Sequence, residues 1–294
     1  MKANNKLVKI TKIRSHLQNV KRRLRRPFYH HPAIPRAATS YVLWRWLRYQ
    51  LSGHNIFLSK NERLLSRLHD QYAGRRAFIL GNGPSLNRHD LTKLSSEVTF
   101  GVNNIFLKYA PTYYVVEDYL MAEDRSAVIN AYNGSTVKFF GNYLRYCLAD
   151  QENTLWLNVR YDYTDFPGFP CFSENVLRRV YVGGTVTYIC MQLAFYMGFS
   201  HVYLVGFDHN YNLPAVAHRD GNRVITDAPD HNHFSPDYLR EGDRWHLPHV
   251  ERMERAYHRA RTVYETHGRT IVNATAGGSL AVFERVDYDS LFTG

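Results

Sequence analysis

The sequence has only three cysteines, no long hydrophobic run and no acidic residue before Glu62. Cys147, Cys171 and Cys190 are odd in number and lack the spacing of a metal site, which argues against a disulfide scaffold. Because no cleavable signal pattern is present either, we predict a protein of the reducing cytoplasm. No run of about 18 apolar residues occurs, so no transmembrane helix is expected.

Charge divides the 294-residue chain into two parts. Residues 1–61 contain 14 basic residues and no acidic one, whereas the remainder contains 23 basic and 26 acidic residues. The net charge of +11 therefore belongs to the N-terminal segment, and the larger part lacks the basic character of a nucleic-acid-binding domain. With 45% hydrophobic residues, the chain is too apolar to be disordered. We predict a basic segment, 1–61, followed by a globular domain, 62–294.

The N-terminal segment has the pattern of a surface-binding element. Apolar residues recur at three- or four-residue steps between Leu7 and Val20, which predicts a basic amphipathic helix that ends before Pro27. The string SYVLWRWLRYQL (40–51) then mixes Trp, Tyr and Arg, side chains that suit the headgroup level of a membrane. Residues 1–50 are therefore expected to dock on an anionic membrane surface. A solvated arm with an ordinary packed helix is the main alternative, and binding of this segment to nucleic acid is the other.

After residue 75 the pattern changes to short apolar runs that end in polar or small residues. Seven runs are predicted strands: 77–80, 98–104, 112–118, 135–142, 153–159, 201–208 and 269–275. Helical patterns occupy 185–198 and 249–267. Strands that alternate with helices predict an α/β domain with a mostly parallel sheet, in which ligands bind beyond the carboxyl ends of the strands. The polar segment 209–248 has no clear periodicity, and its aromatic residues favour a lid over a ligand.

Polar residues cluster where these runs end. The turn GNGPS (81–85) follows the first strand, and its glycines and amides suit a phosphate or ribose group. Two asparagines end the next strand, and a Gly-Gly-Thr string opens the helix at 185, where free amides favour an anion. Tight turns, capping residues and a buried structural Asp are the competing interpretations. The candidate binding residues are Gly81, Asn82, Gly83, Ser85, Asn103, Asn104, Gly184, Thr185 and Asp208.

The lid supplies the candidates for acid–base chemistry. It contains His231, His233 and His246, and His249 follows it. A histidine in this position could deprotonate an incoming hydroxyl. Metal binding is the rival interpretation, although no helical HxxxH pattern and no Cys partner support it. Tyr211 at the end of GFDHNY could stabilise a departing phosphate without a metal.

The strings ILGNGPSL, VNN, GGT, YLVGFD and IVNATAGGSL together resemble the bacterial sialyltransferases of glycosyltransferase family 42. They also resemble the wider superfamily that contains motility-associated flagellin glycosyltransferases and archaeal hydroxymethylpterin pyrophosphokinases. The resemblance extends over residues 75–292. It implies a single Rossmann-like domain, a variant of the GT-A fold, with a lid, a CMP-activated donor, inversion at the anomeric carbon and no metal requirement.

The resemblance also implies roles for single residues. Asn82 and Asn103 match the donor-binding asparagines of the sialyltransferases, and Thr185 lies near their phosphate-side residues. Asp208 matches an acidic residue after a late strand. Among the lid histidines, His246 best matches the general base by its spacing to the last long helix, and His233 is the second choice.

Two departures from the sialyltransferase pattern are visible. Glu117 and Asp118 stand where those enzymes have an asparagine, and Tyr211 matches only one of two tyrosines. We therefore expect an inverting, metal-independent glycosyltransferase that uses a CMP-activated sugar, sialic acid-like or related. A Mg²⁺-dependent pyrophosphokinase, with the ion on Glu117, Asp118 or Asp208, is the alternative.

Partners and location follow from this hypothesis. The expected partners are a nucleotide-sugar donor, a glycan or lipid-linked acceptor and an anionic membrane, with no nucleic acid and no cofactor. A second copy of the chain is left open as a partner. The location implied is cytoplasmic, peripheral to the inner membrane. A membrane-docked scaffold with a decayed nucleotide site is the non-enzymatic alternative.

Overall fold

A computed structural model describes Leu47 and residues 59–293, except residues 163, 166–167, 212–217, 221–222, 226–229 and 241. Contacts divide the chain into two compact units, 1–56 and 57–294, and the elements that follow belong to the second unit. The predicted amphipathic helix within 1–36 lies outside the described residues, as does the aromatic segment 40–51 apart from Leu47. The predicted boundary between residues 61 and 62 falls inside the first described helix of this unit, α1 (Lys60–Ser66).

An eight-stranded sheet forms the centre of the domain, and every described pairing in it is parallel. The strands are β1 (Arg76–Leu80), β2 (Thr99–Val102), β3 (Tyr113–Val116), β4 (Val137–Gly141), β5 (Thr154–Leu157), β8 (His201–Val205), β12 (Thr270–Asn273) and β13 (Glu284–Arg285). Their order is β13-β12-β8-β1-β2-β3-β4-β5. The inner strands are nearly fully buried because both faces of the sheet are covered, which is why they read as continuous apolar runs. The prediction of an α/β fold with a mostly parallel sheet is confirmed.

The chain reverses its direction across the sheet between β1 and β8. From β1 the chain adds β2, β3, β4 and β5 on one side, and then returns to add β8, β12 and β13 on the other. Such a reversal leaves a crevice at the carboxyl ends of the two strands, since the connections from them diverge. The sheet order alone therefore predicts a ligand site beyond β1 and β8.

Two long helices pack on the sheet and on each other. Helix α4 (Val186–Tyr196) is buried along its whole length, and helix α5 (Val250–Thr266) buries the predicted stripe, which includes Met253, Ala256 and Ala260. Both predicted helices are confirmed. The short helices α2 (Tyr119–Asp124) and α3 (Ser126–Ala131) were not predicted, and neither were the 3-10 helices Pro84–Arg88, Leu91–Leu94, Asn103–Leu107, Asn142–Tyr146 and Asp289–Phe292. Among the helices of the described residues, none is long and apolar enough to cross a membrane.

Two small sheets accompany the central one in the described part of the chain. The pair β6 (Val159–Arg160) and β7 (Val180–Tyr181) is parallel. The strands β9 (His218–Asp220), β10 (Arg223–Ile225) and β11 (Arg244–His246) form an antiparallel sheet within the segment predicted as a lid. These strands were not predicted, because three-residue strands are too short to show a readable alternation.

Candidate functional site

A polar cavity of about 130 Å³ lies beyond the carboxyl ends of β8, β1 and β2, at the reversal of the sheet order. Segments 81–83, 102–103 and 206–211 line it from these strand ends, and the start of α4, the helix α5 and the lid complete it. Eight residues singled out from the sequence meet at this cavity: Gly81, Asn82, Gly83, Asn103, Thr185, Asp208, Tyr211 and His233. The other four, Ser85, Asn104, Gly184 and His246, are not part of its lining.

The turn after β1 is packed directly against the turn after β8. A Cβ atom on Gly81 would lie 2.4 Å from the carbonyl oxygen of Gly206, and one on Gly83 would lie 1.9 Å from Oδ2 of Asp208. Asp208 accepts hydrogen bonds from the Ser85 hydroxyl, at 2.7 Å, and from the Ser85 amide. Ser85 and Asp208 therefore fix the turn whose backbone lines the cavity, and only glycine fits at positions 81 and 83.

Two side-chain amides offer acceptors inside this region. The Nδ2 of Asn82 donates to the carbonyl of Val102 at 3.2 Å, while its Oδ1 is buried without a hydrogen-bond partner. The Oδ1 of Asn103 is buried without a partner as well, and this residue has a φ of +52°. A buried acceptor that is left unpaired costs about 1–3 kcal/mol. Both oxygens are thus suited to receive donors of a ligand, such as an amino group or ribose hydroxyls.

The start of helix α4 forms another wall of the cavity. Thr185 is the N-cap, and its hydroxyl accepts from the amide of Thr187. The preceding turn is held by the buried carboxylate of Asp162, which accepts from the amide of Gly183 at 2.9 Å. Burial, opposed by this and other backbone hydrogen bonds, raises the pKa of Asp162 to about 6. Gly184 belongs to this turn and supports the helix start without lining the cavity.

Lid residues 230–240 are fastened over the cavity by backbone contacts. The amide of Phe234 donates to the carbonyl of Asn82 at 2.9 Å, and the carbonyl of Phe234 accepts from Asn87 at 2.7 Å. Asn104, predicted as a ligand-binding residue, instead donates to the carbonyl of Tyr238 at 2.7 Å. The GNGPS turn and the asparagine pair therefore hold the lid in addition to lining the site.

His233 enters the cavity from this lid segment. Its Nδ1 lies 2.6 Å from Oδ2 of Asp230, and its ring stacks on the buried ring of Tyr238 at 3.8 Å. These contacts fix the ring plane beside the cavity. Of the two candidate bases, His233 and His246, only His233 is among the residues that line the cavity.

Tyr211 lines the cavity on the side of β8. Desolvation and then the negative charge of Asp208 raise the pKa of Tyr211 to about 12. Its hydroxyl therefore keeps its proton at neutral pH and can donate a hydrogen bond to an anionic oxygen. Its ring also contacts that of His209, a cavity residue that was not selected from the sequence.

His246 lies one strand further along the same sheet edge. Its Nδ1 is 3.0 Å from Oδ2 of Asp118, which follows β3, and its ring is 5.3 Å from that of Tyr119. The other oxygen of Asp118 caps helix α2 by accepting from the amide of Leu120. An imidazole held by a carboxylate in this way is oriented as a base, because the carboxylate fixes its tautomer.

The lid strand that carries His246 is pinned by ion pairs. Arg244 pairs with Glu123 at 2.9 Å and with Asp124, both at the end of α2, and Arg125 pairs with Asp243. These contacts explain why β11 lies against the end of β3. No local signal in the sequence links these positions, which are about 120 residues apart.

The carboxylates after β3 are engaged with protein partners. Glu117 is buried, burial raises its pKa, and its Oε1 accepts from the hydroxyl of Tyr143 at 2.8 Å. Asp118 holds the ring of His246. Within the described part of the chain, no group of three or more His, Cys, Asp or Glu side chains is arranged to hold a metal ion.

A parallel sheet whose strand order reverses at a polar cavity is the architecture of a Rossmann-like α/β domain. The chain belongs to the family described as 6-hydroxymethylpterin diphosphokinase MptE-like, whose model matches residues 54–213. No curated protein matches it.

Among solved structures, the chain is similar to the MAf glycosyltransferase from Magnetospirillum magneticum AMB-1. The similarity covers 89% of this chain, with 15% identity and a TM-score of 0.46. The chain spans 43% of that protein, less than half of its length.

Proposed function

We propose that the protein is an inverting glycosyltransferase that uses a CMP-activated sugar, sialic acid-like or related, as its donor. The observation that supports it is the pairing of His246 with Asp118 beside a cavity lined by amides and a helix start. The cavity offers Asn82 and Asn103 to a nucleotide and the start of α4 to its phosphate. An oriented base next to an anion site is what transfer of a sugar to a hydroxyl requires.

The chemistry is a single displacement. The acceptor hydroxyl attacks the anomeric carbon, the bond from that carbon to the phosphate oxygen breaks, and the phosphate leaves with the electron pair. His246 takes the proton of the hydroxyl, since Asp118 accepts from its Nδ1–H and leaves Nε2 as the basic nitrogen. The Tyr211 hydroxyl and the helix start stabilise the charge of the departing phosphate. No other covalent step is needed for this transfer.

The lid has to move for a nucleotide to enter. A cavity of about 130 Å³ is smaller than the roughly 300 Å³ of typical ligand pockets. The contacts of Phe234 with Asn82 and Asn87, and of Tyr238 with Asn104, are the ones that opening would break. The three hydrogen bonds connect the lid to both strand ends that carry the candidate donor-binding asparagines.

Screening melting temperature against CMP, CDP, UDP, GDP and ATP, with Mg²⁺ and with EDTA, tests the proposal. We expect CMP to give the largest rise and EDTA to leave it unchanged. A rise only with ATP and Mg²⁺ contradicts it and favours the second candidate.

That second candidate is a diphosphokinase that passes diphosphate from ATP to a small alcohol, a hydroxymethylpterin being the example. The description of the matching family favours it. Glu117, Asp118 or Asp208 would then hold Mg²⁺ together with the ATP phosphates. Complete loss of diphosphate transfer from ATP in the presence of EDTA would support this second function.

We further propose that the protein works at the cytoplasmic face of the inner membrane on a lipid-linked or surface glycan. The 14 basic residues among residues 1–61 support this, because anionic lipid attracts each nearby cation by roughly 1 kcal/mol. Deletion of residues 1–48 should abolish cosedimentation with anionic liposomes and leave nucleotide binding intact. Unchanged liposome binding would contradict this part of the proposal alone.

A further inference from the structure

His209 combines an unusual backbone with a place in the cavity wall. It follows Asp208 in the turn after β8, and its φ is +56°. Its side chain is only 4% exposed. A non-glycine residue with positive φ is uncommon, and such residues cluster at functional sites. Asn103, across the same cavity, is one of the two other described non-glycine residues with positive φ.

The backbone around His209 is held from several sides. The carbonyl of Asp208 accepts from the amide of Ser279 at 2.7 Å, and the amide of Phe207 donates to the hydroxyl of Thr275 at 3.0 Å. The side chain of Asn210 is hydrogen-bonded to Ser279. A strained conformation persists only where the surrounding structure imposes it. The loop after β12 therefore fixes the backbone of this turn and with it the direction of the His209 side chain.

Glu254 on helix α5 orients the ring of His209. Its Oε1 lies 3.2 Å from Nε2 of His209, so the carboxylate accepts from this nitrogen. The His209 ring also contacts Tyr211 and Tyr257, with centroids 5.8 and 6.3 Å away. Glu254 is half-exposed, whereas the imidazole is buried, so the pair connects the surface of α5 to the cavity wall.

We propose that His209, oriented by Glu254, binds the phosphate of the nucleotide, a role that rests on the proposed function. With Glu254 on Nε2 and a phosphate oxygen on Nδ1, each ring nitrogen would donate a hydrogen bond to an anionic oxygen. Tyr211 and the start of α4, which line the same cavity, donate to the other phosphate oxygens. The ligand class is a nucleoside monophosphate, or the diphosphate group of a related nucleotide.

Calorimetric titration of cytidine and of CMP measures this role directly, since the ratio of the two affinities isolates the phosphate. We would compare wild type with His209→Asn, because asparagine tolerates a positive φ, and with Glu254→Gln. Glu251→Gln, an exposed glutamate on the same helix, is the matched control. A charge-assisted hydrogen bond predicts that His209→Asn lowers the CMP-to-cytidine ratio by about tenfold or more.

The outcomes separate the role of His209 from the function on which it rests. We expect Glu254→Gln to lower the ratio by less than His209→Asn, with cytidine binding and melting temperature near wild type. If the ratio of the CMP and cytidine affinities is unchanged in His209→Asn, even where both affinities fall, the role of His209 is overturned and the proposed function still stands. Failure of the wild type to bind either ligand overturns the proposed function, and the role of His209 with it.

Discussion

Two neighbouring stretches of the same sheet edge differ in the chemistry of their side chains. Beyond β8, β1 and β2 the polar groups of the cavity are amides, hydroxyls, the imidazoles of His209 and His233 and the start of a helix, with the Asp208 carboxylate hydrogen-bonded to Ser85. Beyond β3 they are carboxylates and an imidazole, with Glu117 bonded to Tyr143 and Asp118 to His246. The first stretch is suited to binding an anion and the second to moving a proton.

The distance between the stretches suits one substrate pair. Neighbouring strands lie about 4.8 Å apart, so the ends of β1 and β3 are separated by roughly 10 Å. A sugar attached to a nucleotide phosphate can span this distance, which would bring its anomeric carbon toward His246. Substitutions in the first stretch should therefore weaken nucleotide binding, and substitutions in the second should slow proton transfer.

Replacing His246 with alanine should give the largest effect, a loss of transfer rate without a loss of nucleotide binding. We expect transfer to fall by about 10³-fold, within the range for the loss of a general base. CMP affinity should stay unchanged, because His246 is not part of the cavity lining. Initial rates of sugar transfer and a CMP titration measure the two quantities. If transfer survives in this variant and disappears in His233→Ala, then His233 is the base and the stretches are not separate in function.

Replacing Asp118 with asparagine should have a smaller effect of the same kind. Asparagine can still cap helix α2 but removes the charge that orients the Nδ1–H of His246. We expect transfer to fall by about 10²-fold, less than in His246→Ala because the imidazole remains. The matched control is Asp289→Asn, which removes an exposed ion pair with Lys93. Equal rates in the Asp118 and Asp289 variants would refute the orienting role.

Asp162, which holds the turn before α4, should make the unfolding free energy depend on pH. Because its folded-state pKa is about 6, above the 3.8 of a free aspartate, the stability it provides is present at low pH and is lost as the pH rises through about 6. The shift of about two units corresponds to on the order of 3 kcal/mol. Asp162→Asn should flatten the pH dependence of the unfolding free energy between pH 4 and about 7, whereas the exposed Asp237→Asn should not. Parallel curves for wild type and Asp162→Asn would contradict the raised pKa.

The sequence predicted the sheet well because its inner strands are buried on both faces. The runs at 77–80 and 201–208 were recognised as strands, and the polar residues after them do meet at one cavity. The helix at 185–198 was recognised from its Gly-Gly-Thr start. In each case the signal is local and lies within about ten residues.

The parts that were missed depend on contacts between distant segments. His209 is placed by hydrogen bonds between its turn and the loop at 275–279, and Asp162 accepts from a turn that lies 21 residues further along the chain. His246 was selected by resemblance, but its pairing with Asp118 across 128 residues could not be read from either position alone. The lid strands are too short to produce a periodic pattern.

The smallest expected effect comes from Asn82, and it completes the comparison. Asn82→Ala removes a buried acceptor that has no protein partner, together with the weak donor contact to Val102. Because the protein itself makes little use of this amide, melting temperature should change little, while CMP affinity should fall by about tenfold. Asn133→Ala, an exposed asparagine, serves as the control. A clear loss of stability with unchanged CMP affinity would show that the amide supports the fold, and the nucleoside would then have to be held by Asn103 and not by Asn82.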